Sequence, residues 1–112
     1  MAQTLLRAVI LRTENPDRAA AFYIALGLPF AKKGDAPVYA CTQGDIILEI
    51  HVGMSQGARL QLQVPSLEAA ISAAGKAGGR LDGRPEPTRM GKKAILLDPA
   101  GNRVELVEVY DA

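Results

Sequence analysis

At 112 residues the chain has the length of one domain, expected over residues 1–112, with enough sequence to bury a core if a sheet is covered on one face. Thirteen Lys and Arg balance twelve Asp and Glu, so composition gives no basic stripe for nucleic acid and no acidic surface for a large cationic ligand. One cysteine, Cys41, cannot close an intramolecular disulfide, and Arg7 and Arg12 break up the only apolar stretch near the start, so the expectation is a cytoplasmic protein with no membrane partner.

Residues 5–12, LLRAVILR, alternate as a strand, with Val9 and Leu11 on one face and Ala8, Ile10 and Arg12 on the other. Asn15 then offers an N-cap oxygen and Pro16 a preset first helical position. Ala19, Phe22, Tyr23 and Leu26 recur at helical spacing as a stripe that packs on a sheet, and Gly27 can stop the helix. A hairpin is expected next, from 38–41 through a turn at Gln43, Gly44 and Asp45 into 46–52.

The order then repeats with different residues. Residues 59–64, RLQLQV, alternate strictly, with Leu60, Leu62 and Val64 on one face and Arg59, Gln61 and Gln63 on the other, which describes a strand with a helix behind it and something polar in front. Ser66 caps a second, alanine-rich helix that Gly78 and Gly79 end. Residues 80–89, RLDGRPEPTR, carry two prolines and a glycine, which permits a short edge strand and a mobile loop but not a long central strand. Strands at 93–97 and 104–110, joined by a turn through Asp98, Pro99, Gly101 and Asn102, complete the chain.

Some residues attract attention without pointing to chemistry. Cys41 has no nearby Lys, Arg or His in sequence to activate it and reads as a packed thiol. Phe22 and Tyr23 belong to the apolar stripe, with the Tyr23 hydroxyl expected at its rim. Lys32 and Lys33, and Lys92 and Lys93, read as solvated pairs, and residues 53–57, GMSQG, as a linker and hinge without the lysine and helix of a phosphate loop.

Residues 15–30, NPDRAAAFYIALGLPF, and residues 98–108, DPAGNRVELVE, together resemble the two signature segments of the vicinal oxygen chelate superfamily. That superfamily includes glyoxalase I, the extradiol dioxygenases, and the fosfomycin and bleomycin resistance proteins. The resemblance implies an α+β fold of two βαβββ modules, about 5–52 and 59–110 around a linker at 53–58, whose curved mixed sheets form an open trough with helices outside. It also implies a homodimer in which modules of two subunits complete each trough. The superfamily's metal is typically held by His, Glu, His and Glu, and alignment on the FY and DPAGN anchors brings those positions onto Ala8, Glu49, Arg59 and Glu105. Both carboxylates are kept and both imidazoles are replaced.

If Glu49 and Glu105 face the trough as their counterparts do, strand parity brings Ile47, His51, Arg103 and Val107 with them. The same rule adds Ala8, Ile10, Arg12, Arg59, Gln61 and Gln63. His51 lies two residues along the strand from the glutamate, about 6.6 Å by strand rise, and cannot stand in for either missing imidazole. A fixed positive charge at Arg59 repels a divalent ion, so no metal and no cofactor are expected, and Arg59 is expected to bridge Glu49 and Glu105 in the metal's place. The first functional expectation is a metal-free binding protein for a small molecule, with Arg59, His51, Gln61, Gln63, Arg12 and Arg103 as ligand contacts. The second is a glyoxalase-like lyase or isomerase, or a dioxygenase, rebuilt around Glu49 and Glu105 as catalytic carboxylates. The third is an interaction module without a small ligand.

Overall fold

The strands and capped helices are arranged as two copies of one pattern. A computed structural model describes residues 6–55, 57 and 59–110. The first module runs β1 (Ala8–Thr13), α1 (Pro16–Ala25), β2 (Ala31–Lys32), β3 (Tyr39–Gln43) and β4 (Ile46–Val52). The second runs β5 (Arg59–Gln63), α2 (Leu67–Lys76), β6 (Arg80–Pro87), β7 (Gly91–Leu97) and β8 (Arg103–Val109). Their sheets have the orders β1-β4-β3-β2 and β5-β8-β7-β6, with only the β1/β4 and β5/β8 pairs parallel. Each module is therefore βαβββ, and the two mixed sheets stay open as expected. Leu5 of the first expected strand, and Gln56 and Ala58 of the expected linker, lie outside the described residues. None of the described helices is long and apolar enough to cross a membrane.

The helices begin and end where their punctuation residues stand. Asn15 Oδ1 accepts the Arg18 N–H at 3.1 Å, Pro16 occupies the first turn, and Gly27 takes a φ of 107° just beyond the C-cap. Ser66 Oγ accepts the Ala69 N–H at 3.2 Å, and Glu108 Oε1 on β8 accepts the Leu67 N–H at 2.6 Å, so α2 is fixed to its own sheet at its N-terminal end.

Two elements differ from the sequence reading. The two-residue β2 is too short to show alternation. Strand β6 extends over Arg80–Pro87, longer than expected, because it lies at the sheet edge, where proline need not donate to a ladder, and an irregularity between Asp82 and Glu86 accommodates Gly83 and Pro85.

One core serves both modules. Leu11 and Ile50 from the first sheet, Phe22 and Tyr23 from α1, Leu67 and Ala74 from α2, and Leu96, Val104 and Leu106 from the second sheet are buried in one cluster. Two close fits join the halves. A Cβ on Gly79 would lie 2.2 Å from Phe22 Cε1, so only glycine lets the chain after α2 run against α1. The Tyr23 hydroxyl is not at the rim: Tyr23 is 0% exposed and donates at 2.7 Å to Asp98 Oδ2 in the turn between β7 and β8. Asp98 in turn accepts the Ala100 and Asn102 N–H groups and the Asn102 side-chain amide.

Burial first, and then the Asp98 carboxylate, push the Tyr23 phenol far above its usual range. Its proton is thus held more tightly in the folded chain, and the stability this contributes is complete below about pH 10 and declines above it, as the unfolded tyrosine ionises. Tyr23→Phe is expected to cost about 1–3 kcal/mol in urea unfolding at neutral pH, with the gap from wild type narrowing above about pH 10. Gly79→Ala is expected to cost about 1–3 kcal/mol in the same measurement through overpacking.

Candidate functional site

Alternation along the strands divides the side chains between two faces. On β4, Leu48 and Ile50 are buried beneath α1 while Ile47, Glu49 and His51 face the other way. On β8, Val104 and Leu106 are buried while Arg103, Glu105 and Val107 take the opposite face. Register completes the surface: Ile10 lies beside Glu49 and Arg12 beside His51 on the first sheet, and Arg59 lies beside Arg103 and Gln61 beside Glu105 on the second. The residues expected from parity are therefore on the sheet faces away from the helices, in two groups, one per module.

In the first group Glu49 is held at both oxygens. His51 Nε2 lies 2.8 Å from Oε1, and Lys33 Nζ donates to Oε2 at 3.3 Å. The His51 hydrogen bond and then Lys33 hold the Glu49 carboxyl below its usual range. The second group repeats the plan with different donors. Gln61 Nε2 donates to Glu105 Oε1 at 2.9 Å and Arg59 Nη2 to Oε2 at 2.9 Å, and these two hydrogen bonds, Gln61 first, lower the Glu105 carboxyl as well. With side chains only 18% and 14% exposed, the two glutamates have little room for further partners. Arg103 reaches outward to Asp82 on β6 at 3.3 Å.

This geometry corrects the bridging role expected of Arg59: its guanidinium is bonded to Glu105, while Glu49 takes its cation from Lys33. It also changes the reading of two lysines. Lys33 was read as solvated; its side chain is largely exposed but reaches across β3 to Glu49, and Lys93 on β7 adds positive charge near Glu105. Their signal in sequence was only a charge of the right sign, since the strand neighbours that place them are far apart in the chain. Cys41 is a buried thiol contacted by the Gln43 amide at 3.4 Å, away from both groups.

The donor set at the four aligned positions does not suit a divalent metal. Ala8 has no donor atom, Arg59 is a cation, and both glutamates already accept two hydrogen bonds each. No group of three or more metal-ligating side chains occurs among the described residues.

A cavity of about 660 Å³ lies beside the second group, between the modules. Its walls are Val9, Ile46 and Leu48 of the first sheet, the turn after α1 from Leu26 to Leu28, and both faces of β5 through Leu60, Leu62, Gln61 and Gln63.

The family model for the glyoxalase-like domain matches residues 8–107. No curated protein matches the chain. Among solved structures, a glyoxalase/bleomycin resistance protein/dioxygenase family enzyme from Burkholderia phytofirmans PsJN has a TM-score of 0.76 at 20% identity, over 96% of this chain and 100% of that one. TioX from Micromonospora sp. ML1 has a TM-score of 0.73 at 15% identity, over 96% and 100%. TnmS3, an antibiotic-binding protein from Streptomyces sp. CB03234, has a TM-score of 0.72 at 23% identity, over 98% and 99%. At these identities the likeness is one of fold.

Because both carboxyls are lowered, whatever stability they contribute is present above their ordinary range near pH 4 and is lost as pH falls through the lower folded values. In a carboxyl-carbon NMR titration, Gln61→Leu is expected to raise the Glu105 midpoint and leave Glu49 unchanged, while His51→Phe does the reverse. Movement of both midpoints in either variant would show that the two groups are coupled.

Proposed function

This chain belongs to the glyoxalase-like domain family, and on that premise we propose that it is a metal-free binding protein for a small molecule. The observation that carries the reading is the saturation of Glu49 and Glu105 by protein donors, next to the alanine and arginine at the other two aligned positions. Arg59 supplies a fixed cation where a metal's charge would act, His51 and Gln61 bond the two carboxylates, and Gln63, Arg12 and Arg103 add hydrogen-bonding groups on the same sheet faces. A carboxylate or enolate-like oxygen on a small ligand suits that set, because guanidinium groups bind planar anions through paired N–H donors. The description of TnmS3 as an antibiotic-binding protein agrees with small-molecule binding on this scaffold.

The protein acts as a homodimer. Among the described residues, strands β1 and β5 end their sheets with unpaired edges, and a second copy laid against them would bring the two polar groups together across an isologous contact. Sedimentation should then give a mass of two chains at micromolar concentration.

One observation favours a second reading, a rebuilt lyase or isomerase. The 2.8 Å contact between His51 and Glu49 orients the imidazole, which would act as the general base while Arg59 steadied a developing oxyanion. The ion pairs of Arg59 and Lys33 also suit an interaction module, which would bind no small molecule at all.

Two measurements test the preferred reading. Untagged protein screened with Ni, Zn, Mn, Fe and Mg is expected to take up none stoichiometrically, and adding each metal is expected to leave the thermal transitions of wild type, Glu49→Gln and Glu105→Gln unshifted from their own metal-free values. Stoichiometric metal lost in both variants would overturn the metal-free reading. With 1-naphthoate as an anionic probe, wild type is expected to show saturable binding in chemical-shift titration and Arg59→Gln a loss of at least tenfold in affinity.

A further inference from the structure

Away from the polar sheet faces, a further hollow of about 420 Å³ lies where three turns meet: the entry to α1, the segment between the modules, and the turn between β7 and β8. No residue of β5 lines it, and β1 contributes only its last residue, Thr13, which is buried and whose Oγ1 accepts the Asn15 N–H at 3.1 Å. The hollow therefore stands beyond the strand edges on which a second copy would be laid.

Two of its wall residues carry opposite charges that are not spent on each other. Glu14 and Arg18 are four residues apart, the spacing at which a glutamate and a following cation pair on a helix. Here they do not, because Glu14 precedes the N-cap Asn15, whose φ of −131° and ψ of 86° lie outside the helix, so Glu14 is not on the helical face that Arg18 occupies. Arg18 reaches instead toward the second module: a Cβ on Gly78 would lie 3.6 Å from its Nη2 and 3.5 Å from Pro99 Cγ. Among the described residues neither Glu14 nor Arg18 forms an ion pair. Polar groups beside them are already committed, with Ser55 Oγ donating to Asn102 Oδ1 at 2.7 Å and Asn15 Oδ1 capping α1. Met54, Pro99 and Ala100 supply the apolar part of the wall.

Such a wall selects by charge pattern. An anion attracted to Arg18 is repelled by Glu14 in the same small hollow, and a cation meets the reverse, so a ligand with one charge gains little. A molecule carrying both charges satisfies both groups through charge-assisted hydrogen bonds, and a short hydrocarbon frame between them covers the methionine, proline and alanine. The volume is near the lower end of the range for small-molecule pockets, which suits a ligand of amino-acid size.

We propose that this hollow is a binding site for a small zwitterion, an amine and a carboxylate on one short aliphatic frame, with the carboxylate on Arg18 and the ammonium on Glu14. The site is separate from the Arg59 and Glu105 group and does not depend on the reading given for that group. Because its walls come from both modules and the segment that joins them, a bound zwitterion also stabilises their packing.

The test uses the full chain with two zwitterionic probes, L-leucine and 6-aminohexanoate, and two probes of similar size with a single charge, hexanoate and pentylamine. At least one zwitterion is expected to bind saturably in chemical-shift titration, moving the amides of Glu14, Arg18, Ser55 and Ala100, and to raise the thermal transition. Both single-charge probes are expected to bind at least about tenfold more weakly, the scale of one charge-assisted hydrogen bond. Arg18→Gln and Glu14→Gln should each weaken the zwitterion by a similar factor while 1-naphthoate binding stays as in wild type. Should either variant lower the thermal transition of the free protein, Ala100→Phe narrows the hollow from the opposite wall without touching a charge and is expected to give the same loss. Zwitterions that bind no more tightly than hexanoate or pentylamine, shifts centred on the β4 and β8 faces, or affinity unchanged in either charge variant would overturn the assignment. Loss of 1-naphthoate binding in Arg18→Gln would also overturn it, because the hollow would then be a plain anion site.

Discussion

The hydrogen bond from Tyr23 to Asp98 is the constraint around which the two modules are arranged. A phenol from the helix of one module is buried against a carboxylate in the last turn of the other, and neither group has water to fall back on. Asp98 also gathers two backbone N–H groups and the Asn102 amide, so the turn that ends β7 is shaped around the same oxygens that receive Tyr23. Removing the bond would disturb the turn and the helix contact at once. Phe22, next to Tyr23 on the same helix, makes the companion contact: its ring lies against Gly79 so closely that no side chain fits there.

With the helices fixed to each other, both sheets present the faces that lack helices as polar surfaces. What those surfaces do chemically depends on how their carboxylates are satisfied. Each glutamate accepts from two side chains, one from its own strand or a neighbouring strand at matched register and one long cation, so both are stabilised as anions without a metal. A glutamate with two bound donors is a poor general base and a poor metal ligand. The hollow along β5 is lined mainly by apolar side chains, and Gln61 both lines it and bonds Glu105.

Repetition of one module in a single chain leaves edges. The parallel pairs β1/β4 and β5/β8 end in β1 and β5, and among the described residues each of these strands has only one partner. Free edges tend to recruit further chain, and the prolines and irregularity of β6 blunt the outer edge of the second sheet. Strand β5 has no such protection, and its two leucines remain half-buried next to the cavity.

The sequence by itself determined the helices, most of the strands and their order, with the two-residue β2 and the full length of β6 as the exceptions. Asn15, Ser66, Gly27 and Gly78 bound the helices because capping and left-handed geometry act within a few residues, and alternation in RLQLQV and in the strand around Glu49 assigned each side chain to a face because pleating has a period of two. The repeated order and the DPAGN turn were enough to identify the fold. Tertiary structure alone decided who pairs with whom. That Lys33 rather than Arg59 neutralises Glu49, that the Tyr23 hydroxyl is buried on Asp98, and that a cavity opens beside Leu60 and Leu62 all depend on segments distant in the chain meeting in space. Local spacing carries no information about such meetings, because they are fixed by how strands pair within a sheet and how one module packs on the other.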